Sequence, residues 1–193
     1  MKNIVIFGAP GAGKGTQSEK MIAKYGLGHI STGDVLRNEI KKGSDLGKTA
    51  KGYIDKGQLI PDELMVSILA KVYDSFGKDH KGVIFDGFPR TIAQAEALDR
   101  MLAKNGEAVT SVVSIMIPDA MIKERIQHRA AIEGRADDAK EETINNRIKT
   151  YHEKTEPLVE FYKKAGKYEE IDGTGTIEEV RGRIFKNKAT SPN

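Results

Sequence analysis

The 193-residue sequence predicts one α/β domain, a three-layer α/β/α sandwich around a five-stranded parallel sheet, and three observations carry that expectation. Short β-branched apolar runs alternate with segments of helical period, the pattern of parallel strands joined by right-handed crossovers. Runs such as IVIF (Ile4 to Phe7) and VIF (Val83 to Phe85) show no polar alternation, as strands covered on both faces require. Hydrophobic residues make up 38% of the chain, which suffices for one ordinary core, and the length is short for two full domains.

The elements follow in order. Ile4 to Phe7 predicts the first strand, followed by the glycine-rich GAPGAGKGT (residues 8 to 16) and a helix from about Lys14 to Tyr25. His29 to Ser31 predicts a second strand and Gly33 to Lys41 a helix. Pro61 with Asp62 and Glu63 opens a further helix whose apolar face is Leu64, Met65, Ile68, Leu69 and Val72. Val83 to Phe85, Val112 to Ile117 and, more weakly, Tyr168 to Ile171 complete the strands. Thr91 with Gln94, and Thr176 with Glu179, have capping-box spacing. Gly26, Gly43, Gly57, Gly77, Gly106 and Gly166 each follow a helical stretch, the position where the chain enters the left-handed region. The polar tail KNKATSPN predicts disorder.

Charge and composition exclude several function classes. The 31 Lys and Arg nearly balance the 28 Asp and Glu, and the resulting +3 is interspersed rather than blocked, which argues weakly for nucleic acid or membrane as partner. No run approaches the roughly 18 apolar residues of a membrane span, and Ser114 breaks the longest. A charged start leads straight into a strand and a glycine loop, so no secretory signal is expected. Zero Cys removes disulfides, thiolate catalysis, iron–sulfur clusters and cysteine-type zinc sites, and a cytoplasmic setting is expected.

The strand, glycine loop and helix at residues 4 to 25 form the context of a phosphate-binding P-loop. Side-chain-free residues let backbone N–H groups turn inward around phosphate oxygens. The helix N-terminus adds a partial positive charge and Lys14 a full one. Gly15 follows Lys14 where the usual signature has a hydroxyl, and the hydroxyl arrives at Thr16. Asp86 ends the buried strand Val83 to Phe85, where ligands of open α/β sheets gather, and is the candidate Mg²⁺ carboxylate, acting through water; a turn cap is the alternative.

A P-loop sets the chemistry but not the task. Four further segments narrow it: STGDVLR (31 to 37), QLIPDE (58 to 63), DGFPRTIAQ (86 to 94), and GRADD (134 to 138) followed by Arg147. The chain has only 9 Arg, and Arg37, Arg90, Arg129, Arg135 and Arg147 lie in or beside these segments. Guanidinium forks grip phosphate bidentately where lysine acts as a point charge. Arg100, Arg181 and Arg183 read as solvated helix-face residues.

With GAPGAGKGT, these segments resemble the motif set of the adenylate kinase family from Lys2 to about Ile184. The resemblance implies Mg²⁺-dependent reversible phosphoryl transfer, ATP + AMP = 2 ADP. It implies a small nucleoside-monophosphate-binding segment at 31 to 60 and a short lid at 130 to 140. Gly11, Ala12, Gly13, Lys14, Gly15 and Thr16 would hold ATP phosphates, Arg125 would pack on the donor adenine, and the loop at Gly175 would meet the donor base. Arg37 and Arg90 would hold the AMP phosphate, and Arg129, Arg135 and Arg147 the transferring group. Asp137 and Asp138 would orient those arginines. Thr32, Gln58, Leu59, Ile60, Gly87, Phe88, Pro89, Arg90 and Gln94 would form the AMP pocket. Helix capping alone is the alternative for Thr32 and Gln94. The lid lacks cysteine, so structural zinc is not expected, and one extra residue separates Arg135 from Arg147 relative to the common family spacing. A monomer is expected.

The acceptor is itself a phosphate with a second pKa near about 6, already nucleophilic at pH 7, so no protein base is required. His29, His80, His128 and His152 share no spacing and read as structural. The nearest alternative is a UMP/CMP kinase of the same fold, against which Thr32, Pro61 to Glu63 and Gln94 look like the AMP type. From another class comes a P-loop nucleotide-dependent switch. DxxG occurs at Asp79 to Gly82 and Asp172 to Gly175, without a following NKxD.

Overall fold

The computed structural model describes residues 2–134 and 140–186. Residues 135–139 of the expected lid, with Arg135, Asp137 and Asp138, and the tail from residue 187 lie outside the described residues.

Five parallel strands form one sheet in the order β2-β3-β1-β4-β5: β1 (Lys2–Gly8), β2 (Gly28–Ser31), β3 (Gly82–Asp86), β4 (Ser111–Met116) and β5 (Tyr168–Asp172). Ile4, Val5, Ile6 and Phe7 are all at most 2% exposed. Successive strand residues face opposite sides, so both faces of β1 are covered by helices, as the unalternating sequence requires. The connections are α1 (Lys14–Tyr25), α2 (Thr32–Lys42), α3 (Asp45–Asp55), α4 (Asp62–Ser75), α5 (Ile92–Ala103), α6 (Asp119–Glu133), α7 (Glu141–Thr150), α8 (Leu158–Lys164) and α9 (Ile177–Lys186). A π-helical turn, Tyr151–Thr155, extends α7. Among the described residues no helix is long and apolar enough to cross a membrane.

Helix ends follow the local chemistry. The six predicted terminating glycines all have φ between 66° and 71°. Thr91 and Thr176 accept from the N–H groups of Gln94 (3.2 Å) and Glu179 (3.1 Å), the forward half of each capping box. Ser31 caps α2, accepting from Asp34 N–H, and Thr32 is its first helical residue; capping therefore does not account for Thr32. Pro61 stands at the cap of α4 rather than inside it.

The topology positions the site. From β1 the chain builds β2 and β3 on one side and β4 and β5 on the other, so the switch point lies at the C-terminal end of β1. In register, Asp86 pairs with Ile6 on one side and Ser31 on the other, so the ends of β1, β2 and β3 open on the same crevice. Gly8 completes β1 with φ 150°, and a Cβ there would lie 2.3 Å from the Ile115 carbonyl oxygen, so only glycine lets the strand leave the sheet at this point.

Candidate active site

The loop from Gly8 to Gly13 delivers the chain into α1, with Gly13 at the helix cap in the left-handed region. The Lys14 ammonium folds back under the loop and donates to the carbonyl oxygens of Gly8 (3.1 Å) and Ala9 (2.9 Å). Desolvation lowers its pKa to about 7. Repulsion from Arg90, Arg129 and Arg147 acts the same way, and Asp86 opposes it. Arg90 is likewise lowered, first by burial and then by Arg37 and Arg129, against attraction from Asp86.

Two adjoining cavities open at this end of the sheet. The first lies against α2, the end of α3 and the start of α4, with an apolar wall of Leu36, Ile54, Leu59, Ile60 and Met65. The second lies over the loop, between α1, α6 and the connection from β5 to α9. Lys14, Arg37, Arg90 and Arg147 line both. Four cationic side chains thus stand on the common boundary of two cavities.

The residues assigned to AMP fall on the first cavity: Thr32, Arg37, Gln58, Leu59, Ile60, Gly87, Pro89, Arg90, Gln94 and Arg147. Phe88 is the exception. Its ring is 1% exposed in the core and it lines neither cavity, because the residue between Gly87 and Pro89 turns inward to anchor the segment. Thr32 donates its hydroxyl to the Gly87 carbonyl (3.3 Å), and Arg90 Nε donates to the same oxygen (2.9 Å). Arg37 pairs with Asp34 at 2.7 Å. Gln94 is held at both ends of its amide: Oε1 accepts from Arg90 N–H (2.8 Å) and Nε2 donates to Asp62 Oδ1 (2.8 Å). The reverse half of the capping box is therefore not made to Thr91, because Arg90 N–H takes the side-chain oxygen.

The donor assignments Gly11, Ala12, Gly13, Lys14, Gly15, Thr16, Arg125, Arg129 and Gly175 all line the second cavity. Arg125 donates to the Gly173 carbonyl (2.9 Å), tying α6 to the loop after β5. Asp86, 8% exposed, lines the same cavity.

The sequence reading missed four groups. Arg183 does not simply lie on a solvated face: it donates to the carbonyls of Asp172 (2.7 Å) and Thr174 (2.6 Å), and so shapes the loop at Gly175. Arg181 does remain a surface residue, paired with Glu178 at 2.7 Å. His29 and His128 line the second cavity, and His29 Nε2 lies 3.5 Å from Asp86 Oδ2. Asp62 read as a helix-opening acid within the QLIPDE segment and the AMP-type Pro61 to Glu63 stretch, with no side-chain partner assigned to it. Thr143 and Asn146 of α7 bond the end of α3. A capping residue's second task leaves no spacing signal, and the pairing of β2 with β3 that brings His29 to Asp86 is a sheet order that periodicity does not encode.

The loop under β1, its lysine and the arginines around a crevice at the switch point define a P-loop phosphotransferase. The family model for adenylate kinase matches residues 6–167. The chain is 61% identical over 180 residues to an adenylate kinase of Bacteroides thetaiotaomicron, covering 93% of this chain and 94% of that protein. It is 61% identical over 186 residues to one of Bacteroides fragilis, covering 96% and 97%, and 46% identical over 184 residues to one of Flavobacterium psychrophilum, covering 95% and 96%. The chain belongs to the adenylate kinase family.

Proposed function

We propose that the cavity against α2 and α3 takes AMP, that the cavity over the phosphate loop takes ATP, and that the γ-phosphoryl group passes between them in line, giving two ADP. The observation that carries this reading is the shared boundary of Lys14, Arg37, Arg90 and Arg147. Burial first, and then repulsion from neighbouring cations, lowers the pKa of Lys14 and Arg90, and phosphates entering from both sides would offset that cost. The enzyme's contribution is positioning and charge stabilisation, with no proton to remove from the acceptor.

Within this reading Lys14 swings from its loop carbonyls to the donor phosphates, Arg37 and Arg90 hold the AMP phosphate, and Arg129 and Arg147 gather the transferring group. Arg125 and the loop at Gly175 receive the donor base, and Gln94 with Thr32 receives the acceptor base. Arg135, Asp137 and Asp138 retain the roles that the family resemblance implies.

The donor set fits Mg²⁺ brought with ATP. Asp86 is a single carboxylate on the donor cavity, and its Oδ2 would lie 3.7 Å from a Cβ on Gly15, so the missing side chain leaves space for bound water between loop and carboxylate. Mg²⁺ keeps several waters and favours one or two carboxylates plus substrate phosphates. Asp86 would hold it through water, near the Thr16 hydroxyl, and the ion would screen the polyphosphate charge. Residues 31 to 60 and 130 to 140 act as covers that exclude water until both nucleotides are bound. The enzyme works as a cytoplasmic monomer.

A coupled assay of ADP formed from MgATP with AMP, UMP or CMP tests the reading. AMP is expected to give the highest kcat/KM. A higher value for UMP or CMP would reassign the acceptor, and ATP hydrolysis indifferent to monophosphate would mark a nucleotide switch instead.

A further inference from the structure

We propose that Asp62 is a specificity-determining residue of the acceptor site: by fixing which way the Gln94 amide faces, it makes the site accept a 6-amino purine and reject a 6-oxo purine. The inference rests on the proposal that Gln94 meets the acceptor base, and it concerns what sets the direction of that contact.

A glutamine amide has two acceptor sites on Oε1 and two donors on Nε2, and it can turn over to exchange them. In this chain one of each is already committed. Oε1 accepts from Arg90 N–H and Nε2 donates to Asp62 Oδ1, both at 2.8 Å. Arg90 N–H can only donate, and an ionised carboxylate can only accept. Turning the amide over would set an NH₂ group against an N–H and a carbonyl oxygen against a carboxylate. Gln94 is 2% exposed, so water cannot make up the loss.

Asp62 is itself held in place. It opens α4, and its Oδ1 also accepts from the Thr91 hydroxyl (3.5 Å) at the start of α5. The fixed amide keeps one acceptor and one donor to offer to a base. Adenine presents an N6 amino donor beside the N1 acceptor, which complements that pair. Hypoxanthine and guanine present an O6 acceptor beside an N1–H donor, which require the reversed amide. A site whose polar groups are left unpaired rejects the wrong partner far more strongly than one that merely fits poorly. Sequence spacing alone explains Gln94 as a helix cap; the contact to Asp62, 32 residues earlier, is what gives the amide a direction.

The test is acceptor kinetics with AMP and inosine monophosphate at saturating MgATP. Asp62→Asn can donate as well as accept, and Asp62→Ala removes the acceptor; the second variant serves if the first does not fold. In either, the ratio of kcat/KM for inosine monophosphate to that for AMP is expected to rise about tenfold, the effect of one charge-assisted hydrogen bond, through KM rather than kcat. A structural role alone would lower both acceptors in parallel and leave the ratio unchanged. Gln94→Leu separates the two readings. If it collapses the preference for AMP while the Asp62 variants keep the wild-type ratio, Gln94 reads the base and the role of Asp62 is wrong. If Gln94→Leu also keeps the preference, the base contact fails, and the inference with it.

Discussion

The hydroxyl of Thr143 donates to the backbone carbonyl of Asp55 at 2.7 Å, joining the start of α7 to the end of α3 beside the first cavity. Asn146 and Thr150 extend the contact to the carbonyls of Lys56 (2.8 Å) and Gly57 (3.5 Å). The approach is close enough that a Cβ on Gly57 would lie 2.8 Å from the Asn146 Cβ. Thr143 is 2% exposed, and Thr143→Val would remove this bond to the Asp55 carbonyl while keeping the side-chain shape. Steady-state kinetics should show the KM for AMP raised about three- to tenfold and the KM for ATP within about twofold of wild type. Equal effects on both nucleotides would remove this contact from acceptor binding.

Lys14 gives the protein a pH dependence of defined sign. Burial holds its pKa in the fold at about 7, below the ordinary lysine value of 10.5. Between these values the unfolded chain holds more protons than the native one, so this residue makes stability rise with pH over that window. Bound polyphosphate favours the charged form again. ATP binding at pH 8 should therefore take up protons, and affinity should fall as pH rises above about 7. Calorimetry at pH 8 in two buffers of different ionisation heat measures the uptake; identical heats would exclude it. Lys14→Met should abolish the uptake and lower turnover by orders of magnitude.

Arg90 spends Nε on the Gly87 carbonyl, 2.9 Å away, which leaves its two terminal nitrogens to grip phosphate as a fork. Lysine keeps the charge and cannot do both. Arg90→Lys is expected to lower kcat on the order of a hundredfold with the melting temperature nearly unchanged. Activity near wild type would show that charge suffices.

Arg183 braces the loop after β5 through two carbonyls, Asp172 and Thr174. Its replacement by alanine should raise the KM for ATP about three- to tenfold and spare the KM for AMP, since the loop it braces lines the second cavity, through Gly173, Gly175 and Thr176, and not the first. A rise confined to AMP would contradict the division of the cavities.

Strands β1, β3 and β4 were legible because each is a short, mostly apolar run, β2 and β5 more weakly because polar residues interrupt them, and the burial of β1 and β3 on both faces follows from their lack of alternation. The loop was legible because glycine, lysine and threonine fall together in one run. Less was legible where one residue serves two neighbours. Gln94 has cap spacing, and the sequence predicts a bond to the Thr91 backbone; the fold gives that oxygen to Arg90 instead. Phe88 sits within a motif but turns into the core, since neighbours in a loop need not share a direction.

By itself, then, the sequence determined the class of fold, the phosphate loop and the collection of arginines, because these reside in local patterns of glycine, apolar period and charge. Tertiary structure decided which cations share a boundary, that Asp62 fixes the Gln94 amide, that His29 faces Asp86 and that α7 holds the end of α3. The reason is physical: hydrogen bonds and Coulomb interactions act over a few ångströms, and strand order and helix packing, not spacing along the chain, decide which groups come that close.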